Sequence, residues 1–272
     1  MNISQILKKI TNVIKQTEID TDQIDKIPTF ACCTKNLKKI SDTEIKEILS
    51  NNSANETWKS IVSTLSINLP EMTGGINPGD QRAIFYLIWG LKPNNVLEIG
   101  THIGCSTVYI ALALKSQTAK NLITVDIRDV NDTITKPWRK YQSCASPLEM
   151  IIKINAQDYT KFVVSDSLYF FQSNPQKFDF IFLDGSHDAH VVYQEIPMAL
   201  DHLNENGIVL LHDYFPNGKP LWENYPAITG PYLAVKRLQE EGANLKVYPL
   251  GNLPWETKLG TNITSLAILS KS

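Results

Sequence analysis

What this sequence has little of narrows it quickly. Its 272 residues hold 26 basic against 28 acidic side chains, a formal net charge of -2, with no run of five like charges. A nucleic-acid groove or an anionic membrane surface calls for a basic excess, so neither is expected as a partner. No apolar run approaches the roughly 18 residues that cross a bilayer, and the N-terminus lacks a signal-peptide apolar block. Cysteine is scarce, and Cys32, Cys33, Cys105 and Cys144 show neither metal-finger spacing nor a disulfide framework. That fits a reducing compartment, where a free thiol behaves as a small apolar group. Internal repeats and low-complexity tracts are missing too. The expectation is a soluble, cytoplasmic protein.

What is present divides in two. The length allows one large core with an appendage, and residues 1–76 read as an N-terminal helical extension to a main domain over 77–272. The stretch ISQILKKITNVIKQ spaces Ile3, Ile6, Leu7, Ile10, Val13 and Ile14 at helical period, with lysines opposite. Such a helix is expected to pack on the body or on a second copy, which makes a homodimer an expectation. A targeting peptide is the alternative, and the lack of arginine in the stretch argues against it. Two helical segments follow between Asp42 and about Leu69. MTGGINPGDQ then breaks the pattern, and GDQRAIFYLIWGLK is a helix that delivers the chain to the first core strand.

From Asn95 apolar strands alternate with helical stretches, the pattern of a doubly wound α/β sheet that is mostly parallel. Strands are expected at NVLEIG, LITVDI, KFVVS, FDFIFLD and GIVLLHD. Helices are expected at STVYIALALK, around SPLEMIIKINAQ, and at SLYFFQS, VYQEIPMALDHL and AVKRLQEEG. The tail segments LKVYPL and TSLAILSKS have no crossover helix between them, so they are expected to pair as an antiparallel hairpin at one sheet edge.

The stretch VLEIGTHIGCST carries the first chemistry. A strand ending in Gly100, with Gly104 opening the next helix, lets backbone approach a ligand at the carboxyl end of a strand. The glycine spacing is G-x-x-x-G, which is not the dinucleotide fingerprint, and Glu98 is a poor neighbour for phosphate. An acidic side chain suits an amino group or sugar hydroxyls, and loop N–H groups suit a carboxylate, so together they describe an amino-acid nucleoside. Asp126, ending the second strand, can take both hydroxyls of a ribose, or it can be a helix N-cap. Asp166, with Ser167 beside it, can accept from an adenine amino group, or be a local N-cap.

These segments, with SDS, FDFIFLDGSHD and NGIVLLHDY in the same order, resemble the class I S-adenosylmethionine-dependent methyltransferases. The resemblance is specifically to the branch that includes catechol-type and macrolide-sugar-type O-methyltransferases. It runs from about Asn77 to Tyr214 and more loosely to the C-terminus. It implies S-adenosylmethionine as cofactor, with Glu98, Gly100, Thr101, Gly104 and Ser106 near the methionine part. Asp126 and Ile127 would serve the ribose, Asp166 and Ser167 the adenine, and Asp184 would complete the cofactor set. NPGDQ would cover the methionine end.

Asp184 and Asp213 each follow an apolar strand with one helix between, so their carboxylates can converge at adjacent strand ends, where oxygen ligands suit Mg²⁺ or another hard divalent ion. The resemblance implies a metal there that binds the substrate oxygen. The family has asparagine after the second aspartate, but this chain has Tyr214, with His212 in front, so His212 is open as a metal ligand or as a base. His187 matches the family's proton acceptor, and histidine suits that task near neutrality. His102 is expected only to line the cofactor loop, and His190 and His202 to face solvent. Residues 215–232, rich in proline and aromatics, read as a substrate-covering loop, with an oligomer contact as the rival reading. Within it, Trp222 and Tyr225 are candidates to wall the acceptor, and LPWETK is a further candidate.

The sequence thus points to an O-methyltransferase acting on a small hydroxylated molecule, a sugar, phenol or natural-product scaffold, with a divalent metal. A metal-independent N- or C-methyltransferase with a histidine base is the alternative, and a non-catalytic cofactor-binding module is another.

Overall fold

The structure, a computed structural model, describes residues 3–65, 75–115, 117 and 120–272, without the side chains of residues 3–10, 13, 14, 19 and 64. The apolar face expected from Ile3 to Ile14, the end of the second helical segment toward Leu69 and most of MTGG therefore lie outside the described residues. Among those residues seven strands form one sheet in the order β3-β2-β1-β4-β5-β7-β6. The parallel part is β1 (Asn95–Ile99), β2 (Asn121–Asp126), β3 (Thr160–Val164), β4 (Phe178–Leu183) and β5 (Leu203–Leu211). Both β6 (Leu245–Pro249) and β7 (Ala267–Lys271) belong to the antiparallel edge. The later strand, β7, lies inside against β5, and β6 is outermost.

The continuous apolar runs follow from burial on both faces. Alternation along β1 sends Val96 into one core and Leu97 into the other. The first core packs α2 (Asp42–Leu49), α4 (Pro78–Leu91), α5 (Cys105–Lys115) and α6 (Pro147–Lys153) on one face. The second packs α7 (Ser167–Ser173), α8 (Ala189–Asp201) and α9 (Gly230–Glu240) on the other. Phenylalanines 178, 180 and 182 show no exposure at all, and each such ring contributes about 1.5–3 kcal/mol. The remaining helices, α1 (Ile3–Ile24) and α3 (Asn52–Thr64), lie against α8 with α9 and against α4, respectively. Asn77 caps α4 by accepting from Asp80 N–H, with Pro78 in the first turn, so the helix start is fixed beside the site.

Three expectations are corrected. β5 begins at Leu203 and not at Gly207: its register shifts against β4 between Phe178 and Phe180, and NENG forms that irregularity. His202 does not face solvent: its ring lies 2.7 Å from Met198 O and 2.9 Å from Asn174 O at the end of α8. His190 is half-buried with its Nδ1 enclosed.

Candidate active site

The strand order reverses between β1 and β4, and the carboxyl ends there open into a cavity of about 1150 Å³. That volume is at the upper end of what small-molecule sites enclose. Its floor is the turn after β1. Gly100 has φ +102° and donates to Val125 O at 2.8 Å, and a side chain on it would overlap the carbonyl of Asp184. Both the torsion and the close approach demand glycine. Gly104 closes the turn by donating to Thr101 O, and α5 starts at the next residue.

Glu98 sits elsewhere than expected. It is fully buried on β1, beneath the turn and outside the cavity lining. Its Oε2 accepts from the hydroxyls of Thr107 and Thr124, both at 2.6 Å, while Oε1 is buried without a hydrogen bond. Burial pushes the carboxyl up to about 7, against the opposing pull of the Ser106, Thr107 and Thr124 hydroxyls. Strand alternation turns Glu98 toward α5, so it props the turn from below. Gly104 also lies outside the lining, whereas Gly100, Thr101, Ser106, Asp126, Ile127, Asp166, Ser167 and Asp184 all belong to it.

Asp126 is held from several sides. Its Oδ2 accepts from His102 N–H at 2.8 Å and its Oδ1 from Arg128 N–H at 2.9 Å, with Arg128 Nε at 3.1 Å. Arg128 also contacts His102 Nδ1 at 3.2 Å, so His102 is part of this bracket. Asp166 is the N-cap of α7: one oxygen, Oδ1, takes the N–H groups of Leu168 and Tyr169 at 3.0 and 3.1 Å. The capping alternative thus holds for Asp166, at a residue that also lines the cavity. Ser167 donates to Glu195 Oε1 at 2.5 Å. Glu195 is 1% exposed, and burial pushes its carboxyl up to about 7 while the Ser167 hydroxyl pulls the other way.

The opposite end of the cavity is a charge cluster. Asp184 follows β4, and His212 and Asp213 follow β5. Their ligand atoms lie within 4.8 Å of one another, the one such group among the described residues. His212 Nδ1 is 2.9 Å from Asp184 Oδ1 and 3.4 Å from Asp213 Oδ2, and its Nε2 is 3.4 Å from Asp80 Oδ2. The short Nδ1 approach is out of line for a hydrogen bond, so this buried nitrogen is close to carboxylates without being satisfied by them. Burial opposes charge on His212, but Asp184 and Asp213 together outweigh it and hold the ring well above its ordinary value. For Asp213, burial is likewise the largest influence and is overcome by His212 and His187, which hold the carboxyl far below its usual range. Asp213 also takes a left-handed φ of 50°, an uncommon setting outside glycine. His187, about half exposed, places Nε2 3.5 Å from Asp213 Oδ2. Behind its backbone Gly230 opens α9 so closely that a side chain there would overlap the His187 carbonyl.

Several residues were not legible as site residues. Asp80 was seen only as part of a covering segment; it is fully buried and one of its oxygens, Oδ1, has no hydrogen bond. Arg128 and Glu195 were not singled out. Lys258, within LPWETK, lines the cavity with its Nζ 3.8 Å from the Trp222 ring centroid and 4.5 Å from that of Tyr225. Burial lowers its pKa, against the pull of Asp213 and Asp80. Tyr225 lines the cavity as expected, but Trp222 does not. It is 3% exposed, packs on Phe215, and backs the wall from behind. Trp255 of LPWETK turns away to Arg82 and Tyr86, donating to Gly79 O at 2.9 Å.

Residues 97–214 match the family model described as a methyltransferase domain. Among solved structures, the SAH-bound methyltransferase PaMTH1 of Podospora anserina is similar at 18% identity and a TM-score of 0.52, over 88% of this chain and 92% of that one. The O-methyltransferase of Bacillus cereus, in complex with SAH, is similar at 16% identity and 0.51, over 95% and 99%. The O-methyltransferase TomG of Streptomyces achromogenes, involved in tomaymycin synthesis and bound to SAM, is similar at 14% identity and 0.52, over 86% and 92%. No curated protein matches the sequence. At these identities the likeness to solved structures is one of fold.

Proposed function

We propose that this chain is a class I S-adenosylmethionine-dependent methyltransferase and that it methylates a hydroxyl of a small metabolite, a sugar, phenol or natural-product scaffold; the match of residues 97–214 to a methyltransferase-domain model supports the first part. The observation that carries this reading is His187, open to the cavity with its Nε2 3.5 Å from Asp213 Oδ2, beside the cluster of Asp184, His212 and Asp213. Methylating an oxygen requires its proton to leave as the new bond forms, and this arrangement provides an acceptor for it.

S-adenosylmethionine, when bound, supplies a methyl group on a positively charged sulfur. The chain's part is placement. Gly100, Thr101 and Ser106 offer backbone and hydroxyl groups to the amino-acid end, Asp126 meets the ribose hydroxyls, and Asp166 with Ser167 meets the adenine. Holding both reactants in one cavity converts the encounter into alignment, the largest rate contribution available to such a transfer. His187 takes the hydroxyl proton, and Asp213 stabilises the imidazolium that results. Without a metal ion, His212 is less suited to that role, because Asp184 and Asp213 favour the charged form of its ring.

Asp184, His212 and Asp213 suit a hard divalent ion such as Mg²⁺: two carboxylates and one imidazole converge, and the buried His212 Nδ1 lacks a hydrogen bond. Such an ion would act as a Lewis acid toward the acceptor oxygen. A metal-free site is the second reading, favoured by one observation: charged His212 among three carboxylates partly neutralises the cluster by itself. Methyl-transfer assays on hydroxylated compounds, with the metal-stripped protein and with Mg²⁺ restored, test both. Transfer to oxygen that depends on Mg²⁺ supports the first reading. Transfer unaffected by a chelator favours the second, and transfer only to nitrogen or carbon contradicts the hydroxyl assignment.

A further inference from the structure

The connection between β6 and β7 enters the cavity from outside the row of strand ends, and it delivers one cation. Its loop is tightly built. Thr257 Oγ1 donates to Ile263 O at 2.6 Å, Thr261 Oγ1 donates to Lys258 O at 3.0 Å, and Trp222 Nε1 donates to Thr261 Oγ1 at 3.1 Å. The backbone of Lys258 and the ring beneath its side chain are therefore fixed by the same loop. An ordinary surface lysine extends into water, but this one is half-buried and lies over the faces of Trp222 and Tyr225. Aromatic faces hold a cation without using its N–H groups. Among the described residues Nζ has no hydrogen bond or ion pair, and Asp213, the cavity-lining carboxylate that acts on it, is already engaged by His212 and His187. Three donors thus stand unspent at the acceptor end of the cavity.

We infer that Lys258 anchors an anionic group of the acceptor, so that the molecule whose hydroxyl is methylated also carries a carboxylate. This rests on the hydroxyl-methylation reading and narrows its substrate class. A single ammonium within the influence of Asp213 and Asp80 suits a monoanion; a dianionic phosphate meets the same cation and more repulsion. The carboxylate binds Nζ in front of the Trp222–Tyr225 wall, which leaves the hydroxyl to His187.

The test uses full-length protein saturated with S-adenosylhomocysteine and Mg²⁺, titrated calorimetrically with two matched pairs: 3,4-dihydroxybenzoate against its methyl ester, and glucuronate against glucose. For at least one pair the acid binds on the order of tenfold more tightly than its neutral partner, the scale of a charge-assisted contact. Lys258→Met closes that gap, Lys258→Arg keeps most of it, and both variants bind S-adenosylhomocysteine as the parent does. The inference is overturned if neither acid binds, if acid and neutral partner bind alike in both pairs, or if the gap survives in Lys258→Met. Methyl transfer to the neutral members without preference for the acids removes the inference and leaves the hydroxyl reading standing. Bound cofactor with no transfer to any hydroxyl removes that reading and the inference with it.

Discussion

Buried acids at the two ends of the cavity are kept in opposite states. Toward the cofactor end, Glu98 and Glu195 are enclosed with hydroxyl partners, and burial pushes both up to about 7. At the acceptor end, Asp213 is also buried, yet His212 and His187 hold it far below its usual range. The difference is the partner: hydroxyls compensate a carboxylate only in part, whereas a cation compensates it fully. The first end is consequently a structural frame that tolerates neutral acids, and the second is a charged device whose parts depend on one another.

That contrast can be broken most severely at Asp213. Asp213→Asn removes a ligand of the proposed ion and the carboxylate that orients His187. Methyl transfer should fall by about 10³-fold or more, the scale of about 4 kcal/mol of lost buried charge pairing. S-adenosylhomocysteine affinity should stay within a few-fold; loss of both together would deny that the two ends are separable. His187→Gln should follow, lowering turnover on the order of 10²- to 10⁴-fold with cofactor binding intact. Rate measurements with cofactor affinity determined on the same samples check both.

The next perturbations address the frame. Gly100→Ala, at a left-handed torsion and against the Asp184 carbonyl, should cost about 2–4 kcal/mol in urea unfolding and weaken cofactor and metal binding together. It is the substitution expected to join the two ends. Smallest is a pH effect. In the unfolded chain Glu195 loses its proton near its ordinary 4.5, but in the folded chain only near 7. Its contribution to stability is full below about 4.5 and declines as pH rises through about 7. Glu195→Gln should flatten that decline by on the order of 3 kcal/mol between pH 4.5 and 8. An unchanged slope in urea titrations would show that Glu195 is ionised when folded.

The frame was largely legible in the sequence, and the device was not. The turn after β1, Asp126 and Asp166 are local: a strand end, a glycine and an acid a few residues apart declare themselves by period and spacing. Glu98 was found as a motif residue but placed on the wrong side, because strand alternation decides whether it meets the ligand or lies beneath it. The acceptor end draws on Asp80, residues 184–187, His212 with Asp213, Tyr225 and Lys258, five segments that meet only after the sheet has closed. The aspartates after β4 and β5 could be paired because those strands were recognisable. Lys258 could not, since it reaches the cavity through the β6–β7 connection, where no regular period marks its path. Trp222 shows the converse error: offered as a wall of the acceptor, it packs on Phe215 behind Lys258 and does not itself line the cavity.

The most direct measurement is calorimetric titration of Mg²⁺ into the metal-stripped protein and into Asp184→Asn/Asp213→Asn, each with S-adenosylhomocysteine bound. The expected result is ion binding by the parent, none by the double variant, and the same cofactor affinity in both. Methyl transfer to a hydroxyl by a parent protein that binds no ion, or ion binding that survives the double substitution, would contradict a metal-holding acceptor end.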